Sequence, residues 1–413
     1  MKRLALSARV GLALATLLLA GSSHAGGLYL SSFGDPSMGN ASAGSNAVAN
    51  DASTAHTNPA GMTRLDDHGV LMGLAPGFST VEFSADGNTP AGGGDGGDQG
   101  GFIPITSTGY VHKLSERWRL GMSLLSFAGA SLDPKDDWAG RFETTEVTLF
   151  SLTFLPTVAV QLTDWLSLGA GAAVTYGMLD MKVRTSLPLR EPTIWLDELD
   201  DWVAAPVVSL LVEPTPKLRF GVVYWGESDF ELDGKVRLPS GLPASLVSLE
   251  LNLPLARAVR VSAYWDATEE IALMMSSGWE DWSTAKSLPV SGANVSASVP
   301  LKFRDTWYLA AGVNFKVSDA WTLQTGLRYD SSALKNRDRT AALPVDRFWT
   351  LGIGGLYDYS DKLKIGLGFS WSDLGNAPIN NATVRGKYTR NEVFLFNLSF
   401  NWKKLPWSGL GTF

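Results

Sequence analysis

Leu363-Lys-Ile-Gly-Leu-Gly-Phe-Ser-Trp371 alternates without a break between large apolar residues and small or polar ones. Side chains on a β-strand point alternately to its two faces, so this segment has one wholly apolar face and one small, polar face. The same alternation recurs at residues 321–329 and 394–402, again with aromatic residues on the apolar face. Soluble β-sandwiches also alternate, but they rarely set so aromatic a face against so many glycines. The pattern predicts an all-β protein whose strands turn their apolar faces towards a membrane.

The composition excludes several classes of protein. The chain of 413 residues has a formal net charge of -7, which gives no basis for nucleic-acid binding. It has no cysteine, so disulfides, thiol chemistry and cysteine metal sites are excluded. With 15 tryptophans and 18% charged residues, the composition fits either a transmembrane β-barrel or a large secreted β-protein. No apolar run long enough for a membrane helix follows residue 25.

The N-terminus predicts export. A basic region with Lys2 and Arg3 is followed at residues 10–20 by an apolar core that is too short to span a membrane. We expect residues 1–25 to be a signal peptide that is cleaved near Ala25, where small residues occupy the positions read by signal peptidase. The mature chain is therefore predicted to reach the bacterial outer membrane.

Short polar turns alternate with longer connections along the rest of the chain. Six short turns occur at residues 115–117, 163–164, 215–217, 268–270, 318–320 and 360–362. Seven longer connections occur at residues 84–101, 131–141, 186–198, 228–245, 283–299, 331–345 and 374–387. Outer-membrane barrels have short periplasmic turns and long external loops, so this order predicts an antiparallel barrel of about fourteen strands at residues 68–402. Residues 403–413 are predicted to form a C-terminal tail.

Residues 26–67 precede the first strand and show neither helix nor strand periodicity. The segment is dense in small residues and cannot bury enough apolar surface to fold alone. A barrel of about fourteen strands is too wide for its own side chains to fill, so we predict that this segment plugs the lumen as a hatch. Within it, Pro59 fixes one backbone angle and biases Asn58 towards extended geometry. Asn58-Pro59-Ala60-Gly61 is therefore predicted to form a rigid corner.

Several short motifs, taken in order, resemble a known family. They are Gly39-Asn-Ala-Ser-Ala-Gly44, Asp51-Ala-Ser-Thr54, Asn58-Pro59-Ala60-Gly61, Trp138-Ala-Gly140-Arg141-Phe142, Leu155-Pro156-Thr-Val-Ala159, Trp165-Leu-Ser-Leu-Gly-Ala-Gly171 and Leu343-Pro-Val-Asp-Arg347-Phe-Trp349. Across nearly the whole mature chain, their order and spacing resemble those of outer-membrane transporters for long-chain fatty acids and aromatic hydrocarbons (the FadL/TodX type). The resemblance implies a fourteen-stranded barrel whose N-terminal hatch acts as a gate, with Asn58, Pro59, Ala60 and Gly61 as the gate residues.

The resemblance also implies a transport route. Hydrophobic substrate is captured by external loops, enters an interior apolar pocket, and leaves sideways through a gap in the barrel wall at a kink in the third strand. Here that strand is expected at about residues 117–130, with Phe127, Ala128 and Gly129 as the candidate kink. A glycine in a strand is compatible with a bulge, and it also fits a small residue that merely faces the lumen.

Ligand contacts are predicted on two external loops and at one strand end. The loop candidates are Leu189, Ile194, Trp195 and Leu196 on the third external loop and Phe230 on the fourth. Apolar clusters on loops mark binding sites, although loops that pack on each other give the same pattern. If the substrate carries a carboxylate, the resemblance makes Lys182 or Arg184, near the external end of the fifth strand, its partner. The alternative is a salt bridge inside the lumen with an acid such as Asp180.

We expect no catalytic residue, metal site or cofactor, since the three mature histidines, His56, His68 and His112, lack metal-ligand spacing. The predicted function is passive transport of hydrophobic small molecules, either long-chain fatty acids or hydrocarbons. The alternatives are a weakly selective porin and, less favoured, an outer-membrane lipid-modifying enzyme. Besides the substrate, the expected partners are outer-membrane lipid and lipopolysaccharide. A closed barrel has no edge that requires a second copy, so we expect a monomer.

Overall fold

The alternating segments are β-strands in the structure, which is a computed structural model. It describes residues 34–135, 137–185, 193–237, 246–284, 287–292, 295–300 and 302–403. The predicted signal peptide (residues 1–25), the start of the predicted hatch (residues 26–33), Leu189 and residues 404–413 of the predicted tail lie outside the described residues.

Many of the strands are longer than a membrane crossing requires. In chain order they are β1 (Gly69–Ala85), β2 (Phe102–Lys113), β3 (Trp118–Leu132), β4 (Glu146–Thr163), β5 (Leu166–Arg184), β6 (Thr193–Thr215), β7 (Leu218–Trp225), β8 (Ser228–Arg237), β9 (Leu246–Leu255), β10 (Ala258–Asp266), β11 (Ile271–Glu280), β12 (Ser287–Gly292), β13 (Val295–Pro300), β14 (Thr306–Lys316), β15 (Trp321–Asp330), β16 (Phe348–Ser360), β17 (Leu363–Asp373), β18 (Ile379–Asn380) and β19 (Arg385–Trp402). A transmembrane strand needs about 9–11 residues. β6, with 23 residues, therefore continues well beyond the membrane.

Fourteen strands of the described chain close into the barrel. They are β1–β7, β10, β11, β14–β17 and β19, and each is antiparallel to its neighbours. β1 pairs with both β2 and β19, which closes the ring. The six predicted short turns each connect two consecutive barrel strands. The predicted fold, a transmembrane antiparallel β-barrel of about fourteen strands, is confirmed.

The outer face of the barrel is apolar and carries aromatic rings at both ends. Trp118 and Trp321 directly follow short turns and are exposed on that face. At the other end, the rings of Trp307, Tyr329 and Trp349 lie side by side on β14, β15 and β16, with centroids 5.3 and 4.9 Å apart. Aromatic girdles mark the two membrane interfaces of such barrels. We call these three rings the external aromatic row.

The described residues include no helix that is both long and apolar enough to span a membrane.

The lumen holds the hatch, which lies before β1 and has little regular structure. Its helical segments are a 3₁₀ helix at Pro36–Asn40, the α-helix α1 at Thr54–Thr57 and a second 3₁₀ helix at Pro59–Arg64. Most of its described residues are buried within the barrel. The prediction that an N-terminal hatch occupies the lumen is confirmed.

Two hairpins extend the wall beyond the external end of the barrel. β8 and β9 form one hairpin, and β8 pairs with the external end of β6. β12 and β13 form the other, and β12 pairs with β9. The prediction that Ile194, Trp195, Leu196 and Phe230 lie in loops is wrong, because the first three belong to β6 and Phe230 belongs to β8. These residues alternate between two faces because the strands continue to pair outside the membrane.

Candidate functional site

Glycines on the inner face of the barrel let the hatch backbone lie directly against the wall. A β-carbon added at Gly326 would overlap the carbonyl oxygen of Asn40, and one at Gly221 would overlap that of Asn46. An added β-carbon would also overlap hatch backbone at the wall glycines Gly73, Gly109, Gly169 and Gly352. The glycines that alternate with large residues in the sequence therefore make room for the main chain of the plug.

Side-chain hydrogen bonds hold the hatch to the wall on several sides. Asn40 Nδ2 donates to the carbonyls of Val313 and Thr325, each at 3.1 Å. On another side of the lumen, Thr63 Oγ1 and Ser167 Oγ on β5 lie 2.8 Å apart. Buried polar groups that lose such partners destabilise a structure strongly. The hatch is thus fixed by polar contacts as well as by its close fit.

The predicted corner is a capped 3₁₀ helix. Asn58 is extended, with φ of -159°, and its side-chain oxygen accepts from the Ala60 N–H at 3.1 Å. Its side-chain nitrogen donates to the carbonyl of Leu210 on β6 at 3.2 Å. Pro59 occupies the first turn of the helix, and the Gly61 N–H donates to the Asn58 carbonyl at 2.8 Å. The corner therefore attaches the hatch to β6.

A histidine of the hatch lies between an acid and a hydroxyl. His56 Nε2 lies 3.4 Å from Asp35 Oδ2, and His56 Nδ1 lies 3.4 Å from Ser123 Oγ on β3. Hydrolases use the same three residue types, but their serine must be open to substrate. Here all three residues are at most 2% exposed, so their contacts attach the hatch to β3. Among the described residues, no group of three or more acidic or histidine side chains could hold a metal ion.

The hydrogen-bond ladder between β2 and β3 stops before either strand ends. Its last pair at the external side joins Ser107 to Leu125. Both strands continue, but no described backbone pairing joins residues 102–106 to residues 126–132, and the Thr106 N–H donates to the Ser126 hydroxyl at 3.4 Å instead. We call this interruption the β2–β3 gap. It separates two neighbouring strands of the barrel wall over part of their external halves.

β3 is bulged where the gap begins. Its pairing with β4 shifts between Ser126 and Gly129, so that β3 has one residue more than β4 over this stretch. The candidate kink at Phe127, Ala128 and Gly129 coincides with this shift, although the side chains of the first two lie outside the description. A bulge bends its strand and increases the local twist. Pro104, on the β2 side of the gap, has no N–H to donate to a ladder.

Apolar side chains line the lumen next to the gap. Met38 of the hatch packs in a buried cluster with Ala75, Ile105 and Leu395. Ile103, which lies in the unpaired part of β2, packs against the same cluster. The 3₁₀ helix that carries Met38 therefore fills an apolar space directly behind the gap.

The external ends of the strands and their connections enclose a larger apolar core. Ile194, Leu196 and Phe230 lie in this core, and none of them is more than 6% exposed. The same core includes Leu249 of β9 and Tyr388 of β19. Three of the predicted ligand residues thus share one buried apolar region. Their role in binding stays a prediction.

Lys182 and Arg184 lie on the face of β5 that points away from this core. Met181 and Val183, which alternate with them, are the buried residues. The Lys182 ammonium forms an ion pair with Glu146 on β4. The predicted head-group role of Lys182 and Arg184 stays a prediction, and their placement outside the core does not favour it.

Trp195 of β6 pairs with Lys182 on this outer face. Its Nε1 donates to Asp180 Oδ2 at 2.9 Å, and Lys182 Nζ lies 4.9 Å from its ring centroid. Arg184 lies 3.7 Å from a carboxylate oxygen of Asp137. Lys182 pairs with Glu146 and not with Asp180, so the alternative salt bridge inside the lumen does not form.

Sequence reasoning misses an ionic cluster inside the barrel. Arg328 donates twice to Asp330, at 2.7 Å each, and its guanidinium lies 3.7 Å from the ring centroid of Tyr308. Nearby, Glu280 accepts from Trp282 Nε1 at 2.8 Å. Strict alternation along β15 already places Arg328 on the inner face. A charge on the inner face of a membrane strand is the signal that could have identified this cluster.

Two buried charges connect the external loops. Glu143, in the β3–β4 loop, accepts from the Ala341 N–H at 2.7 Å and from Asn381 Nδ2 at 2.8 Å. Burial raises the pKa of Glu143 to about 7. The fully buried Arg339 pairs with Asp346 at 2.9 Å. The β3–β4, β15–β16 and β17–β19 loops are thereby held together above the barrel.

Known proteins share this architecture. The sequence profile of the family described as "Outer membrane protein transport protein (OMPP1/FadL/TodX)" matches residues 16–402. A long-chain fatty acid transport protein of Salmonella typhi is 22% identical over 450 residues, which cover 97% of this chain and 100% of that protein. A solved structure of a Pseudomonas aeruginosa FadL homologue has a TM-score of 0.82 at 19% identity and covers 91% of this chain and 99% of its own.

The toluene transporter TodX of Pseudomonas putida, also a solved structure, has a TM-score of 0.68 at 15% identity, over 91% of this chain and 99% of its own. These two structures share the fold. The family profile covers nearly the whole chain, including the hatch and every barrel strand. The chain belongs to the outer-membrane transport protein family that includes FadL and TodX.

Proposed function

We propose that the protein is a passive outer-membrane transporter of hydrophobic small molecules, long-chain fatty acids or hydrocarbons, and that it releases them sideways through its wall. The observation that carries this proposal is the β2–β3 gap, which lies beside the apolar cluster around Met38 in a barrel whose lumen is plugged. Two relatives are named as transporters, one of long-chain fatty acids and one of toluene. These names support the proposed substrate classes.

A lateral exit suits apolar cargo for a physical reason. Moving an apolar molecule into water costs about 25 cal/mol for each Å² of surface exposed. A molecule that crossed an aqueous lumen would bear that cost, whereas one that left through the wall would pass directly into the hydrocarbon of the membrane. The plug and the gap together therefore favour an apolar route over an aqueous one.

The proposed route has three parts. The external apolar core, with Ile194, Leu196 and Phe230, receives the substrate after capture by the external loops. The hatch segment that carries Met38 then moves, while the corner at Asn58 stays attached to β6. The substrate finally leaves between β2 and β3, beside the bulge at Phe127, Ala128 and Gly129.

Removing the bulge tests the lateral exit. Deletion of Ala128 gives β3 the same number of residues as β4 between Ser126 and Gly129, so the strand can straighten and pair with β2. We expect uptake of radiolabelled oleate and toluene, by cells without other channels for them, to fall to nearly the level of cells that lack the protein.

The matched control is a second one-residue bulge. β16 carries it at Tyr359, beside a periplasmic turn and away from the gap. Deletion of Tyr359 should leave uptake close to that of the unmodified protein. Both variants should keep the heat-dependent gel mobility of a folded barrel. If the Ala128 deletion folds and still transports at the normal rate, the substrate does not leave through the β2–β3 gap.

A further inference from the structure

A cationic cleft lies at the external end of the barrel, between the start of β14 and the β15–β16 and β17–β19 loops. Its volume is about 650 Å³. Four of its lining residues are exposed cations, Arg304, Lys335, Arg337 and Arg347. Asp346 is the one acid among the described lining residues. The cleft therefore has an excess of positive charge.

The floor of the cleft is fixed, and its acid is already paired. Arg339 Nη2 donates to Asp346 Oδ1 at 2.9 Å from the buried side. The same guanidinium donates to the carbonyls of Val345 and Pro378, at 3.1 and 2.6 Å. Arg339 thus neutralises Asp346 and holds both loops in place, so that Asp346 does not compensate the charges of the exposed cations.

Three of the cations lack an acidic partner among the described residues. Arg304 Nη2 donates to the Ser332 carbonyl at 3.1 Å, and no ion pair is formed by Arg304, Lys335 or Arg347 within the described chain. Arg337 differs, because it lies 3.5 Å from a carboxylate oxygen of Asp338. The cleft therefore offers at least three cations to an anionic ligand.

The cleft lies next to the external aromatic row. Arg304 is three residues before Trp307, and Arg347 is two residues before Trp349. At about 3.3 Å per residue of extended chain, these cations lie within roughly 10 Å of the rings along the strands. Aromatic girdles lie at the level of the lipid head groups. The cations therefore stand at the height at which lipid phosphates of the outer leaflet occur.

The positive charge of the cleft is local. The whole chain has a net charge of -7. The β1–β2 loop, at the same end of the barrel, contains Asp86, Asp95 and Asp98 and no lysine or arginine. A general excess of basic residues does not explain the cleft.

We propose that this cleft binds the phosphate groups of lipopolysaccharide in the outer leaflet. Arginine binds phosphate through paired hydrogen bonds, and lysine binds it as a compact point charge. Asn336 and Asn380, which also line the cleft, supply amide groups for the hydroxyls of the attached sugars. The inference does not depend on the transported substrate, because the cleft lies on the outer rim.

The affinity of the purified full-length protein for fluorescent lipopolysaccharide in detergent tests this site. The combined variant Arg304→Gln, Lys335→Gln and Arg347→Gln should bind about tenfold more weakly or worse, the scale of losing one charge-assisted hydrogen bond. The control variant Lys235→Gln, Arg237→Gln and Lys387→Gln changes the charge equally at exposed external positions outside the cleft, and it should bind normally. Heat-dependent gel mobility should show that both variants are folded.

Two further ligands identify the chemistry. Lipopolysaccharide stripped of its phosphates should bind the unmodified protein as weakly as the intact lipid binds the cleft variant. Inorganic phosphate should compete only at far higher concentration than the lipid. The proposal is overturned if both triple variants bind alike or if phosphate-free lipid binds normally. Competition by inorganic phosphate at the concentration of the lipid would assign the cleft to the free ion, against the proposal.

Discussion

Glu143 shows how one buried side chain can organise the external loops. Its two oxygens face the Ala341 N–H and the side-chain nitrogen of Asn381. Asn381 cannot turn its oxygen towards Glu143, because that oxygen already accepts from the N–H groups of Thr383 and Val384. The two donors favour the ionised carboxylate, whereas burial favours its neutral form.

The stability of these loops should therefore depend on pH. Burial raises the pKa of Glu143 from 4.5 to about 7. A group whose pKa is raised by folding stabilises the fold at pH values below its pKa in the unfolded state. That stabilisation is lost as the pH rises through its pKa in the folded state. The full effect is on the order of 3 kcal/mol. By hydrogen-exchange mass spectrometry, the segment around Ala341 should be less protected at about pH 8 than at about pH 5 after correction for intrinsic exchange.

Two variants separate Glu143 from its surroundings. Glu143→Gln does not titrate, so it should abolish this pH dependence, and it should weaken protection throughout because an amide offers one oxygen to two donors. Glu146→Gln removes a partly exposed acid three residues away and should keep the dependence. An undiminished pH dependence in Glu143→Gln would contradict the assignment.

Single residues differ in how far the sequence predicts them. Period-two alternation correctly places Gln324, Gly326 and Arg328 on the inner face, because that face follows from parity along one strand. The head-group prediction for Lys182 and Arg184 rests on the resemblance and on their place near the external end of a strand, and neither specifies a face. The structure puts both on the outer face of β5, opposite the buried residues.

At the scale of elements, the 3₁₀ helix at Pro59–Arg64 and its cap attach the hatch to β6. Pro59→Gly removes a fixed φ angle and makes the unfolded segment more flexible, at a cost of roughly 0.4–1 kcal/mol. We expect faster hydrogen exchange in the hatch and altered uptake, with the heat-dependent gel mobility of the barrel unchanged. Loss of that mobility would show that the corner supports the barrel itself.

Asn58→Ala provides the comparison for the same helix. It removes the side-chain cap and the hydrogen bonds to the carbonyls of Asn46 and Leu210. Unpaired buried groups are costly, so this variant should loosen the hatch more than Pro59→Gly does. The opposite order would mean that chain stiffness, not hydrogen bonding, holds the corner.

The barrel strands and turns follow from the sequence, whereas the external hairpins do not. Each short turn is a local signal, and each barrel strand has its own alternation. The pairing of β8 with β6 and of β12 with β9 depends on contacts between segments far apart in the chain. The sequence analysis therefore places residues 193–198 and 228–237 in loops, whereas in the structure they are paired strands.

At the scale of the whole molecule, the hatch explains two features of the composition together. The wall is rich in inward glycines, and the segment before β1 is rich in small polar residues. The two features are complementary, because the backbone of the hatch lies directly against the wall glycines. The existence of the plug could therefore be predicted from the sequence.

The resemblance predicts a wall gap at a kink in the third strand, whereas the end of the β2–β3 ladder is seen only in the register. Pairing between β2 and β3 stops at Ser107, and the register of β3 against β4 shifts beyond Ser126. Register is a property of two strands together, so no single stretch of sequence reveals where a ladder ends. For the same reason, the apolar cluster around Met38 could not be predicted, since its members come from the hatch and three separate strands.

Single-channel conductance in planar bilayers tests most directly whether the barrel is a plugged transporter or an open porin. The intact protein should show no stable ohmic pore, because hatch backbone and side chains are bound around the lumen. A variant lacking residues 27–51, which include the segments that contact Gly326 and Gly221, should conduct ions as an open pore. Stable conductance of the intact protein, unchanged by the deletion, would contradict the plug and favour a porin.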